Sequence, residues 1–291
     1  MLTNRRPAGV LGLVVALALS ACGTVEQAPQ GVLRPQITFG QRDGGEHPYV
    51  GTLLFVQNGE GYFSCSGTLL SPTVMLTAGH CVEGGGVENS VTYVSFAEDP
   101  VATRANYAST AAWLAAEWIL ASDVVPHPQY DDYAQFPNTY DVGLIILSQA
   151  VTMDTYGQLP PLGYFDTTPQ AELKAQLFEP VGYGLLGKAP PTSNKPLPSD
   201  YARYKGLQRF VEVNSTNTGT QSVKLTNNPG GGNGGGGTCN GDSGGPTLFN
   251  NTSMIAAVNS FSVTPNCKGN DFMFRMDTKL AQDFVTPYTE Q

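Results

Sequence analysis

The chain has 291 residues, 41% of them hydrophobic and only 13% charged, with 34 glycines and 21 prolines. That length and apolar content suffice for a sizeable core in one or two domains, and sparse charge with abundant Gly and Pro favours an all-β, loop-rich architecture over a helical one. The net charge of −9 argues against nucleic-acid binding, which calls for a basic surface; otherwise it bears on solubility and not on fold.

Residues 1–21 carry Arg5 and Arg6 and then an apolar run from Val10 to Leu19. This pattern reads as a secretory signal peptide, too short for a spanning helix. It ends Leu19-Ser20-Ala21-Cys22, which resembles a bacterial lipobox, where cleavage before the cysteine leaves that residue to be acylated. Cys22 is the expected lipidation site, anchoring the exported protein to a membrane of the cell envelope; several acyl chains anchor stably where one is marginal. The alternative is an ordinary signal peptide cut near Ala21. Residues 22–36 are rich in Pro, Gln and Gly and read as a flexible tether with an r.m.s. span of roughly 20 Å.

The folded domain is expected over residues 37–291. Residues 49–56 and 64–70 read as strands around the turn Asn58-Gly59-Glu60-Gly61. Residues 74–77 lead into a loop that carries His80. Residues 108–120 are Ala-rich, include Trp113 and Trp118, and have helical local propensity. Residues 142–147 form a continuous apolar run, as in a buried strand behind Asp141. Residues 190–199 are a Pro-rich surface loop. Residues 229–237 are nearly all glycine; no Lys-Ser/Thr follows, so a loop beside the next motif is expected and not a phosphate cradle. Residues 277–286 read as a C-terminal helix with Leu280, Phe284 and Val285 on one apolar face.

Three short runs carry the chemistry: Leu76-Thr77-Ala78-Gly79-His80-Cys81, Asp141-Val142-Gly143-Leu144 and Thr238-Cys239-Asn240-Gly241-Asp242-Ser243-Gly244-Gly245-Pro246. A serine hydroxyl attacks a carbonyl well only if a base takes its proton. A neutral imidazole suits that task, with an ordinary pKa near 6.5. A buried carboxylate then fixes its tautomer and stabilises the imidazolium. Singly, a Ser among glycines is usually a turn, a His beside a Cys is usually structural, and an Asp opening a strand is usually a turn residue. Together, in the order His80, Asp141, Ser243, the runs resemble the chymotrypsin/trypsin family of serine proteases over most of the chain from Ile37 onward. The chain has three histidines; His47 and His127 lie in segments similar to structural stretches of that family, so His80 is the expected base.

The resemblance implies two six-stranded antiparallel β-barrels with a C-terminal helix and the site in the cleft between them. His80 and Asp141 would come from the first barrel and Ser243 from the second. For residues 108–120 the family implies strand where local propensity implies helix. The resemblance also implies backbone N–H groups of Gly241 and Ser243 as an oxyanion hole, and disulfides Cys65–Cys81 and Cys239–Cys267. No C-x-x-C or nearby His pair suggests a zinc site, and no metal or other cofactor is implied. The residue six before the nucleophile, Gly237, corresponds to the pocket floor, where trypsin-like members carry Asp. Ser260-Phe261-Ser262 matches the strand that pairs with substrate backbone, with Ser262 narrowing the pocket mouth. Asp271 aligns with the far wall, where an acid would receive Arg or Lys. Family members are often activated by a cut that frees an Ile ammonium; here that would pair Ile37 with Asp242.

The expected function is peptide-bond hydrolysis through an acyl-enzyme, on protein or peptide substrates. Two alternatives share the fold: a non-catalytic homologue acting as a binding module, and a serine esterase. The G-x-S-x-G elbow of α/β-hydrolases also matches residues 241–245, but that fold places its histidine after the serine, and no histidine follows Ser243. The subtilisin order has no supporting motif around His80.

Overall fold

A computed structural model describes residues 40–58, 60–83, 90–185, 200–228, 235–264 and 266–290. The segments expected as a signal peptide (1–21), a tether (22–36) and a Pro-rich loop (190–199), with Cys22 and Ile37, lie outside the described residues, as do Gly59 and residues 229–234.

Fourteen strands are present among the described residues: β1 (Gln41–Arg42), β2 (Val50–Gln57), β3 (Glu60–Ser71), β4 (Val74–Thr77), β5 (Val91–Ser95), β6 (Ile119–Pro126), β7 (Gly143–Leu147), β8 (Leu177–Gly182), β9 (Tyr204–Lys205), β10 (Gln208–Val213), β11 (Ser222–Asn227), β12 (Pro246–Phe249), β13 (Ile255–Ser262) and β14 (Gly269–Arg275). The first barrel closes in the order β2-β3-β4-β7-β6-β5. The second runs β8-β10-β11-β14-β13-β12 and closes through β12 pairing back to β8, while β9 extends from β8 and β1 from β9. Closure leaves these sheets few edges to pair with another chain. The expected pair of six-stranded antiparallel barrels is thus present.

The first core is aliphatic. Leu53, Leu69, Met75, Leu76, Leu144 and Ile145 are fully buried, each contributing about 1.5–3 kcal/mol of transfer free energy. The second is largely aromatic, with Phe165, Phe178, Phe210 and Phe249 around Leu225 and Met273. Register positions the site. β4 and β7 pair with Leu76 opposite Leu144 and Thr77 opposite Gly143. His80 follows Thr77 by three residues and Asp141 precedes Gly143 by two, so the two runs leave the same end of the barrel side by side.

Helix and strand each take part of residues 108–120. Thr110–Glu117 form a helix whose first turn is capped by Ser109, the hydroxyl oxygen accepting the Ala112 N–H at 3.1 Å. Trp113 and Leu114 are buried, and Trp113 meets Trp118 edge to face at 5.3 Å. The strand β6 starts only at Ile119, where β-branched and pleated positions resume. The C-terminal helix spans Lys279–Thr289 and starts two residues later than the apolar pattern suggests. Its cap is Thr278, which accepts the Ala281 N–H at 3.2 Å. Asp277 instead binds the buried Arg275 guanidinium at 2.9 and 2.8 Å.

Candidate active site

His80 sits on a single helical turn, Gly79–Val82, directly after β4. Its backbone N–H donates to Asp141 Oδ1 at 2.8 Å, and its ring Nδ1 lies 3.1 Å from Oδ1 and 3.0 Å from Oδ2. The carboxylate is fully buried, whereas a quarter of the His80 side chain is exposed. Burial alone would push the imidazole pKa down, but the charge and hydrogen bond of Asp141 outweigh it, and the net shift is upward. Burial alone would likewise raise Asp141; the imidazole, the Ser260 hydroxyl and the His80 N–H reverse this and hold it below the ordinary carboxylate range. An ionised carboxylate on Nδ1 places the ring proton there and leaves Nε2 as the basic nitrogen.

Ser243 lies on the loop between residue 239 and β12. Gly241 adopts φ +100°, and a Cβ there would sit 2.8 Å from the Cα of Gly184, so only glycine fits. Ser66 ties the loop down: its N–H donates to the Ser243 carbonyl at 2.7 Å, and its hydroxyl donates to the Gly241 carbonyl at 2.9 Å. The N–H groups of Gly241 and Ser243 have no acceptor among the described residues. His80, Gly241 and Ser243 line one cavity of about 460 Å³ together with Thr52, Tyr183 and Tyr201. The Ser243 hydroxyl makes no hydrogen bond to the imidazole in this structure, a common looseness of unliganded sites.

Both expected disulfides are present. Cys65–Cys81 spans a Cα separation of 6.2 Å beside His80, and Cys239–Cys267 spans 5.1 Å at the second barrel. The Cys65 and Cys81 sulfurs lie near His80, but a bonded pair offers no thiolate to a metal.

A second cavity, of about 210 Å³, adjoins Ser243 and is lined by Thr238, Cys239, Asn259, Ser260, Phe261 and Ser262. Ser262 is exposed at its edge. Ser260, which lines this cavity, also donates its hydroxyl hydrogen to Asp141 Oδ2. The expected floor, Gly237, and the expected far-wall residue, Asp271, are both buried. Gly237 is buried, and the space its side chain would take is filled by Asn227, whose Oδ1 lies 1.9 Å from an ideal Cβ. Asp271 is not exposed on the far wall: it is fully buried, accepting from Gln208 at 2.7 Å, Asn227 at 2.7 Å and the Thr238 N–H at 2.8 Å. The wall residue is Thr238, and the acid sits behind it. Burial pushes the Asp271 carboxyl up to about 6 despite those donors.

Asp242 is also buried, accepting the N–H of Gly184 at 2.8 Å and of Cys239 at 2.9 Å. It has no cationic partner among the described residues. Sequence reading missed Tyr133, whose hydroxyl donates to Asp141 Oδ2 at 2.9 Å; a tyrosine within a loop carries no signal of where its ring points.

The sequence matches the Trypsin family description over residues 37–283. It is 26% identical over 224 residues to CLIP domain-containing serine protease B15 of Anopheles gambiae, an overlap of 74% of this chain and 58% of that protein. The chain thus spans little more than half of that relative's length. It is 28% identical over 213 residues to brachyurin of Leptuca pugilator, covering 71% of this chain and 79% of that one. Human heparin binding protein superposes with a TM-score of 0.59 at 19% identity over 87% of this chain and 96% of that chain, a likeness of fold. Given the family match over residues 37–283 and two closed barrels in this topology, the chain belongs to the trypsin family.

Proposed function

We propose that the protein is a serine endopeptidase that cleaves peptide bonds through an acyl-enzyme. The observation that carries this reading is the pairing of His80 Nδ1 with the buried Asp141 carboxylate on the wall of a cavity that also holds Ser243. In this reading Nε2 of His80 takes the Ser243 hydroxyl proton as Oγ attacks the scissile carbonyl. The negative charge that develops on the carbonyl oxygen is met by the unengaged N–H groups of Gly241 and Ser243, a contribution on the order of 10²–10³ in turnover for each donor. His80 then returns the proton to the leaving amine, and water repeats the sequence on the ester. The cavity of about 210 Å³ beside Ser243 receives the side chain preceding the cleaved bond.

Two disulfides fit an oxidising, exported environment. Anchoring through acylated Cys22 is part of the proposal and rests on the N-terminal sequence; detergent-phase partitioning unchanged in Cys22→Ser removes it. Cleavage before Ile37 would bring an ammonium to the buried Asp242, and would also sever the tether. The whole reading is tested by intact mass after treatment with a fluorophosphonate probe, using forms that begin at Cys22 and at Ile37, each beside its Ser243→Ala variant. Labelling of both at Ser243 is expected if no cut is needed, and of the Ile37 form alone if one is. Labelling of neither, in disulfide-bonded protein, leaves the fold as a non-catalytic binding module.

A further inference from the structure

Asp141 receives more donors than the imidazole and Ser260 alone. Tyr133 donates its phenol proton to Asp141 Oδ2 at 2.9 Å, while its oxygen lies 3.0 Å from His80 Nδ1. The three groups form a closed triangle at the heart of the site. We propose that Tyr133 is a positioning residue for the base: one phenol holds the carboxylate with its proton and presents its oxygen to the imidazole N–H, so that both partners of the pair are fixed by a third side chain. The inference rests on the protease reading for its catalytic consequence, but the triangle itself does not.

The direction of the phenol proton follows from acceptor strength. An ionised carboxylate is a stronger acceptor than an imidazole nitrogen that already carries hydrogen. The proton is therefore committed to Oδ2, and the negative end of the hydroxyl dipole faces Nδ1–H. Burial and the adjacent Asp141 charge raise the phenol pKa far above its ordinary value, so the group stays a donor whenever the base works. The imidazolium formed during catalysis then meets a carboxylate and a phenol oxygen together.

The loop is built to deliver this ring. Asp132 and Tyr133 are consecutive non-glycine residues in the left-handed region, at φ 54° and 66°, a conformation retained only when the surroundings enforce it. The enforcement is aromatic. The Tyr133 ring meets Tyr130 edge to face at 5.8 Å and Phe261 at 5.6 Å, and Phe261 stacks on Phe272 at 4.8 Å. Tyr130 and Tyr133 come from the segment preceding β7, and Phe261 from β13 of the second barrel, so the ring bridges both barrels over the His80–Asp141 pair. The charged groups acting on His80 are Asp141 and, at longer range, Asp132.

The test is an NMR titration of the imidazole resonances in the full chain, with and without Tyr133→Phe, His80 being assigned by its loss in His80→Gln. Phe keeps the ring packing and removes only the hydroxyl. The expected result is a His80 midpoint lower by about half to one pH unit, as a hydrogen bond to a charged group is lost, with His127 unmoved. On a peptide substrate, kcat should fall about tenfold with KM little changed, and the acid limb of the rate profile should move to lower pH. An unmoved His80 midpoint overturns the inference, whatever the activity. A lowered midpoint in a protein that fails to turn over substrate or take the probe would keep the triangle and reject the protease reading. Thermal unfolding of both forms checks that the variant is folded; a variant that does not fold is replaced by Tyr133→Leu judged on the same midpoint.

Discussion

Asp242 Oδ1 accepts the N–H of Gly184 at 2.8 Å, and a Cβ on Gly184 would stand 2.5 Å from that carboxylate's carbon. The glycine lets the backbone close on the acid, which loses its water and gains only two N–H donors. Burial, with a smaller push from Asp271, lifts its pKa from 3.8 to about 7.

Stability should therefore fall as pH rises. Between about pH 4 and pH 7 the unfolded chain has released the Asp242 proton and the folded protein still holds it, so unfolding is favoured increasingly across that window. Urea unfolding of the form beginning at Cys22, at pH 4.5 and 7.5, should show a loss on the order of a few kcal/mol that is reduced in Asp242→Asn. Equal pH slopes in the two proteins would contradict this. In the form beginning at Ile37, an ammonium beside Asp242 would favour the ionised acid and remove the loss.

The rate profile should carry the mark of the Asp141 charge. In the proposed mechanism His80 must be neutral to accept the Ser243 proton, and the net shift of His80 is upward from 6.5. The value of kcat/KM should rise with pH through a midpoint above 6.5. A midpoint at or below that value shows that desolvation, and not the carboxylate, dominates in the free enzyme.

Cys239–Cys267 closes a sequence separation of 28 residues and joins two walls of the cavity beside Ser243. In the chain-entropy account its removal costs about 3–4 kcal/mol. The double Cys239→Ser, Cys267→Ser variant should lose that stability and also cleave with a raised KM. Unchanged KM would separate the bond from the cavity.

Gly237→Ala should destabilise by about 1–3 kcal/mol, the usual overpacking range, since its Cβ would strike Asn227. Because Asp271 lies behind Thr238, Asp271→Asn should leave the preference in a peptide library unchanged; a lost preference for Arg or Lys would return the acid to the cavity wall.

Local sequence determined the parts of this protein that depend on short-range chemistry. Three runs named His80, Asp141 and Ser243, and the family resemblance those runs carry implied the Cys65–Cys81 and Cys239–Cys267 pairs. The apolar run over residues 142–147 marked β7, because a fully buried strand must be apolar along its length. The tertiary structure decided what depends on distant neighbours. Helical propensity prevailed over residues 110–117, where Trp113 and Leu114 could be buried, and yielded at Ile119, where β6 could pair with β5 and β7. Asp271 has a place in the alignment but no line of sight to the cavity, since its donors Gln208 and Asn227 come from β10 and β11. Tyr133 reaches Asp141 only because two left-handed residues turn the loop and an aromatic from the other barrel holds the ring. Register and loop direction are set by packing between segments far apart in the chain, and no window of sequence contains both sides of such a contact.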